Sequence, residues 1–205
     1  MIFLETDSFE KENLLYETAL KEFSEKGYKN ASLNSILKNT GISKGTFYYH
    51  FQNKEELYIC LVRKALEIKK QLLEKSFSEN GLECDIFLLL QMQAETVIEY
   101  AFNHRLFYDF SVSFAKEKGN SIYEKVMNSF KPEIDKTFSK IINIAAESGT
   151  LRDDIPMEVL ERSLKYFFTN LSDILELFYE IKDKEKLLEY YKSFIEILKD
   201  GMSKH

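Results

Sequence analysis

Residues 40–54, Thr40-Gly41-Ile42-Ser43-Lys44-Gly45-Thr46-Phe47-Tyr48-Tyr49-His50-Phe51-Gln52-Asn53-Lys54, gather hydroxyls, phenols, an imidazole and two ammonium groups. Such groups donate hydrogen bonds and attract phosphate. No nucleophile–base pair, phosphate-binding glycine loop or metal-ligand spacing accompanies them, so recognition of a surface is expected rather than catalysis, with no cofactor. His50, His104 and His205 are widely spread, and Cys60 and Cys84 form no CxxC pair; each is expected to be a buried or half-buried free thiol. Between Lys26 and Lys54 stand five lysines (26, 29, 38, 44 and 54) and no Asp or Glu, in a chain of net charge −6. A basic island in an acidic protein is a local footprint for phosphate, and the acidic remainder opposes indiscriminate nucleic-acid binding.

The elements that must position these groups are short helices. Gly41 can take a positive φ, Ser43 is a good N-cap, and a helix from about Lys44 to Phe51 follows. Phe47 and Phe51 are i, i+4 neighbours that face inward with Ile42, leaving Lys44, Gly45, Tyr48, Tyr49 and His50 outside or at the edge. This is the outline of a helix-turn-helix, whose second helix lies in the DNA major groove; an ordinary αα-corner shares the same turn. A first helix is expected over 8–26, capped by Asp7 or Ser8, with Leu15, Ala19, Leu20 and Phe23 in one stripe and Gly27 ending it. Ser32 caps a second helix over 33–40 that buries Ile36 and Leu37. Asn53 and Glu56 form a capping box for a fourth helix that has no breaker from Lys54 to about Phe77.

The rest of the chain is helical by periodicity, and Gly (7) and Pro (2) are scarce. Helices are expected over 83–103, with Ile86, Leu90, Ala94, Val97 and Ala101 on one face, and over 105–117, an aromatic one. Another runs from a Ser121/Glu124 capping box to about Ser148, kinked or broken near Pro132. The last two span about 156–180 and 184–202. No apolar run reaches the roughly 18 residues of a membrane span and no export signal opens the sequence, so a cytoplasmic location away from the membrane is expected. The predicted fold is all-α, with a helix-turn-helix domain over 1–53 and a helical effector-binding and dimerisation domain over 54–205.

Leu14-Leu15, Ala19-Leu20, Phe23, Gly27-Tyr28, Ile36, Gly41 to Phe51, Lys54 and Leu57 together resemble the DNA-binding domain of the tetracycline-repressor (TetR) family. The likeness covers about residues 8–58; Gly149-Thr150-Leu151-Arg152 with Asp154-Ile155 is similar to the family's link into its penultimate helix. The resemblance implies a homodimeric, ligand-responsive transcriptional regulator, usually a repressor, on a palindromic double-stranded operator. It places Ser43, Lys44 and Gly45 at the groove, Tyr49 and His50 where base or backbone contacts occur, and Tyr48, Lys54 and Ser32 against phosphate. Lys44 has the chemistry to pair with guanine O6/N7 and Thr46 to meet a thymine methyl. Tyr48 and Lys54 would position rather than specify.

The larger domain is rich in Phe, Tyr, Leu and Ile, which suits an apolar or aromatic effector and suits a filled core equally well. Met92, Gln93, Thr96, His104, Phe107, Phe110, Phe130 and Phe167 are the candidate ligand residues. Arg105 has two readings, an anionic ligand or a neighbouring carboxylate. The last two helices are apolar on more than one face. The stripes Leu160, Leu164, Phe167, Leu171, Ile174, Phe178 and Leu187, Tyr191, Phe194, Leu198 are expected to pair two copies in a four-helix bundle. Control by a protein partner, or action as an activator or scaffold, is the alternative.

Overall fold

The computed structural model describes residues 11–80, 85–147, 149, 151–169 and 183–202, and every regular element among them is a helix. The order is α1 Glu12–Asn30, α2 Leu33–Thr40, α3 Lys44–His50, α4 Lys54–Asn80, α5 Ile86–Asn103, α6 Arg105–Lys116, α7 Ser121–Glu147, α8 Met157–Thr169 and α9 Lys184–Met202. The chain forms two compact units. One is 1–69 with 104–129, the other 70–103 with 130–205. The division read from the sequence at 53/54 is one of function; packing instead places the start of α4, all of α6 and the first turns of α7 with α1–α3.

In the first unit the expected stripe of α1 is buried, and Tyr16 and Glu22 are buried beside it. The capping residues expected for α1 lie outside the described residues; the helix opens after Lys11, which takes a left-handed φ of 72°. Gly27 breaks α1 as expected, with φ 70° and ψ 169°, but a further turn carries it to Asn30. Around this break sits an aromatic cluster: Phe23 meets Tyr58 edge-on at 4.8 Å, Tyr28 lies 4.9 Å from Tyr58, and Phe110 and Phe114 close the ring at 5.5 and 6.2 Å. Phe107 and Phe110 form the buried face of α6. The Tyr58 hydroxyl is fully buried there and makes no hydrogen bond among the described residues. An orphaned buried donor costs about 1 kcal/mol or more. Tyr58→Phe is therefore expected to raise the urea midpoint, and a loss of more than about 1 kcal/mol would show that the hydroxyl has a partner.

Cys60, half-buried on α4, donates weakly to the Tyr16 hydroxyl at 3.8 Å. Burial pushes the thiol up despite that bond, so less of it stands as the nucleophilic thiolate. Cys84 lies outside the described residues.

The second unit is built on Ile86, Phe87, Leu90, Ile142, Ala145, Leu151, Leu160, Leu164, Phe194, Ile195 and Leu198. The inward face of α5 therefore runs through Ile86, Leu90, Ala94 and Ile98, whereas Val97 and Ala101, expected on it, are half-buried. Helices α5 and α9 run antiparallel with a ladder of opposite charges: Asp85–Lys199 3.4 Å, Glu95–Lys192 2.7 Å and Glu99–Lys184 3.5 Å. Exposed pairs contribute little each, but this ladder matches one register. α7 starts at Ser121 itself rather than after it, and runs through Pro132 without a break. Pro132 and Asn128, whose carbonyl loses its helical partner, are both exposed, which leaves that side of the helix open to solvent. Gly149 takes φ 67°, as expected of a helix stop.

Within this chain, much of the stripes expected to pair two copies is taken up by the chain's own core. Leu160, Leu164, Leu187, Phe194 and Leu198 are buried inside the chain's own core, with Phe167 and Tyr191 packed against it. Leu171, Ile174 and Phe178 lie outside the described residues. Among the described residues, the large apolar side chains that face outward on these helices are Met157, Val159, Tyr166 and Ile197, the last 70% exposed.

Candidate nucleic-acid interface

α3 is one short helix fixed by one buried ring. Phe47 is 0% exposed, stacked on Phe51 at 5.5 Å, with Ile42 buried beneath the turn. Ser43 caps the helix by accepting the Thr46 amide at 3.0 Å, and the two hydroxyls share a hydrogen bond at 2.9 Å. Gly41 takes φ 66° between α2 and α3, the left-handed turn that glycine permits. The outer surface then carries Ser43, Lys44, Gly45, Thr46, Tyr48, Tyr49 and His50, all exposed. Tyr49 is 85% exposed and its ring meets His50 edge-on at 4.9 Å. A side chain with so little contact to its own chain contributes little to folding. Its exposure is what a groove contact requires.

Ser32 caps α2 by accepting the Ser35 amide at 3.3 Å, which leaves its own hydroxyl proton able to donate. Lys54 is placed differently from its expected role. Its ammonium donates to the carbonyls of Tyr28 at 2.7 Å, Ala31 at 2.9 Å and Lys29 at 3.4 Å, and lies 4.7 Å from the Tyr28 ring centre. Three donors meet three acceptors, so the group caps the end of α1. Desolvation lowers its pKa, partly countered by the charge of Glu22. Of the five lysines in the basic island, Lys54 and Lys26 are thus taken by internal contacts, and Lys29, Lys38 and Lys44 remain exposed. The α4 cap is as expected on one side, with Asn53 Oδ1 accepting the Glu56 amide at 2.9 Å. On the other side Glu56 reaches back to Gln52 rather than Asn53.

Glu22 was not singled out by the sequence, and it is 7% exposed. Its carboxylate accepts from Lys26 at 2.8 Å, the Ser32 amide at 2.9 Å and the Ser35 hydroxyl at 3.5 Å. Burial alone would raise its pKa, but these donors and the Lys26 charge outweigh it and hold the carboxyl below the usual glutamate range. A pKa depressed by folding contributes stability that is fully present above the unfolded value and lost as pH falls through the folded one. Glu22→Gln should therefore cost about 1–2 kcal/mol at neutral pH and flatten the acid limb of the stability curve. Urea unfolding across the acid range checks this, and an unchanged acid limb would contradict it.

Residues 15–60 match the model of the bacterial regulatory proteins of the tetR family. The chain carries a tetR-family domain. Over 53 residues it is 49% identical to the HTH-type transcriptional regulator YuxN of Bacillus subtilis, covering 26% of this chain and 18% of that one. It is 43% identical over 53 residues to the biofilm operon icaADBC negative transcriptional regulator IcaR of Staphylococcus epidermidis, 26% of each chain. The matches span half or less of the length of these curated relatives and of YdgC of Bacillus subtilis, at 50%. The fold likeness reaches further than the tetR-family domain. The chain superposes on FadR of Bacillus subtilis, solved with stearoyl-CoA, with a TM-score of 0.71 at 16% identity, over 92% of this chain and 98% of that one. With the ketosteroid transcriptional regulator KstR2 of Mycobacterium tuberculosis the TM-score is 0.62 at 18% identity, over the whole of both chains.

Beyond the tetR-family domain, the candidate ligand residues fall in both units. Met92, Gln93, Thr96, Phe130 and Phe167 belong to the second, His104, Phe107 and Phe110 to the first. The Thr96 hydroxyl is satisfied by the Met92 carbonyl at 2.9 Å, and Phe167 packs edge-on against Phe194 at 6.1 Å. The side chain of Gln93 lies outside the described residues. Arg105 takes the second of its two readings, with Nε 3.0 Å from Asp109. Among the described residues no three His, Cys, Asp or Glu stand together to hold a metal, and no helix is long and apolar enough to cross a membrane.

Proposed function

We propose that this protein regulates transcription, binding a palindromic duplex as a homodimer through α3 and releasing it when a small apolar effector binds. The observation that carries this reading is the outer surface of α3. An ammonium, a threonine and two phenols stand exposed on a rigid short helix inside a tetR-family domain, flanked by Lys29 and Lys38. Lys44 and Thr46 would read base edges, and Tyr48, Tyr49, His50 and the Ser32 hydroxyl would hold the phosphate backbone or the groove walls. Lys54 acts by fixing α1 to α4 rather than by clamping phosphate.

Met157, Val159, Tyr166 and Ile197 are the outward large apolar residues of α8 and α9 among the described residues, and they would seat the second copy. Beside Ile197, Leu188 lines a surface groove of about 680 Å³ with Glu185, Glu189, Lys192, Ser193 and Glu196. An acyl or sterol-like effector is favoured by the composition of the larger domain, by the stearoyl-CoA bound to FadR and by the description of KstR2 as a ketosteroid transcriptional regulator, two proteins whose fold this chain shares. Its place of action is the cytoplasm, where the DNA is, and repression rather than catalysis is its role.

The test is selection from a randomised duplex pool with the full chain. Enrichment of inverted repeats whose half-site centres lie roughly 34–36 Å apart is expected, with release on adding long-chain acyl or sterol compounds. Failure to enrich any sequence would remove the reading. Enrichment without release by any such compound would favour control by a protein partner.

A further inference from the structure

The backbone between α1 and α2 is held by charged side chains brought from three helices. Glu22 on α1 takes the amide of Ser32, and Lys54 at the start of α4 takes the carbonyls of Tyr28 and Ala31. The third is Glu117, immediately after α6 and 89 residues from its partner. Its Oε1 accepts the amide of Tyr28 at 2.7 Å, and its Oε2 accepts from Asn120 Nδ2 at 2.7 Å. The φ of 70° at residue 27 favours glycine there, and a Cβ at that position would stand 2.9 Å from Glu117 Oε1, so the carboxylate would have to shift. A second bond, from the Ser113 hydroxyl to the carbonyl of Phe23 at 3.0 Å, fixes α6 along the same stretch of α1. At the Gly27 break the Tyr28 amide has lost its helical acceptor, and a carboxylate is the strongest replacement available to it.

We infer that Glu117 is a positioning residue for the helix-turn-helix: by holding the Tyr28 amide it fixes the direction in which the chain enters α2, and so ties the placement of α6 to that of α3. For its bearing on DNA this rests on the reading of α3 as the DNA-contacting helix. Glu117 itself touches no DNA in this scheme. Its effect passes through the turn 27–32, whose two other charged anchors, Glu22 and Lys54, belong to α1 and α4. A shift of α6 along α1 would withdraw the carboxylate and leave that turn held from two sides instead of three.

Three variants of the full chain test this: Glu117→Ala, Glu117→Asp and Glu117→Gln, with Glu25→Ala as an exposed control on α1. Amide exchange is followed at Tyr28 and through α2, alongside affinity for the duplex that the wild-type protein selects. Glu117→Ala should exchange Tyr28 about tenfold faster, speed exchange at Ile36 and Leu37, and weaken duplex affinity about tenfold. Gln keeps an oxygen at the same reach and should restore most of each. Asp keeps the charge but falls one methylene short and should resemble Ala. Because Asp and Gln are mild changes, they decide the matter even where Ala does not fold. Wild-type α2 exchange and affinity in Glu117→Asp, or a faster Tyr28 amide with nothing else altered, would overturn the inference. If the wild-type protein selects no duplex, the DNA reading fails separately, and exchange through α2 decides the role of Glu117 alone.

Discussion

Phe47→Ala is expected to cost about 3–5 kcal/mol of stability and to abolish duplex binding with it. The ring is fully buried, stacked on Phe51 and meeting Tyr48 edge-on at 5.4 Å, in a helix of seven residues that has no other buried side chain. A helix this short is not stable by propensity, so α3 exists because Phe47 anchors it. Domains of this kind have total stabilities of about 5–15 kcal/mol, so the loss removes a large share. Urea unfolding measures it. A loss below about 1 kcal/mol would mean that the turn, not the ring, holds α3.

The second large effect separates function from stability. Lys44→Ala combined with Tyr49→Ala should leave the unfolding midpoint within about 0.5 kcal/mol of wild type, because both side chains are exposed. Duplex affinity should fall by about 100-fold or more, from the loss of one base-edge contact and one aromatic contact in each half-site. If Lys44 reads guanine, Lys44→Ala alone will also relax the selected sequence at one position per half-site. Uniform weakening with an unchanged sequence preference would instead make it a phosphate contact.

Much of this interface was legible because local rules act there without competition. A serine before a short helix caps it, glycine takes the left-handed turn, and i, i+4 aromatics face inward. Ser32, Ser43, Gly41, Phe47 and Phe51 all follow these rules. Lys54 stood at a position where two partners were open to it, phosphate outside or carbonyls inside, and sequence spacing does not choose between them. Glu22 and Glu117 were invisible for a related reason. Each is an ordinary glutamate whose partner, ten or 89 residues away, is a backbone amide that any sequence supplies. α8 and α9 carry apolar residues on two faces, and periodicity shows the stripes without showing which one turns inward. Leu160 and Leu198 went to the core, Val159 and Ile197 to the surface. Pro132 was read by its intrinsic cost, which an exposed helix face lowers by leaving the freed carbonyl open to solvent.

The most direct measurement is the mass and salt dependence of the complex with the selected duplex, taken by sedimentation across a range of salt concentrations. Two chains per duplex are predicted, with log affinity falling against log salt at a slope of roughly −5, for Lys29, Lys38 and Lys44 on each chain meeting phosphate. One chain per duplex, or binding indifferent to salt, would contradict a paired α3 seated on the phosphate-lined grooves.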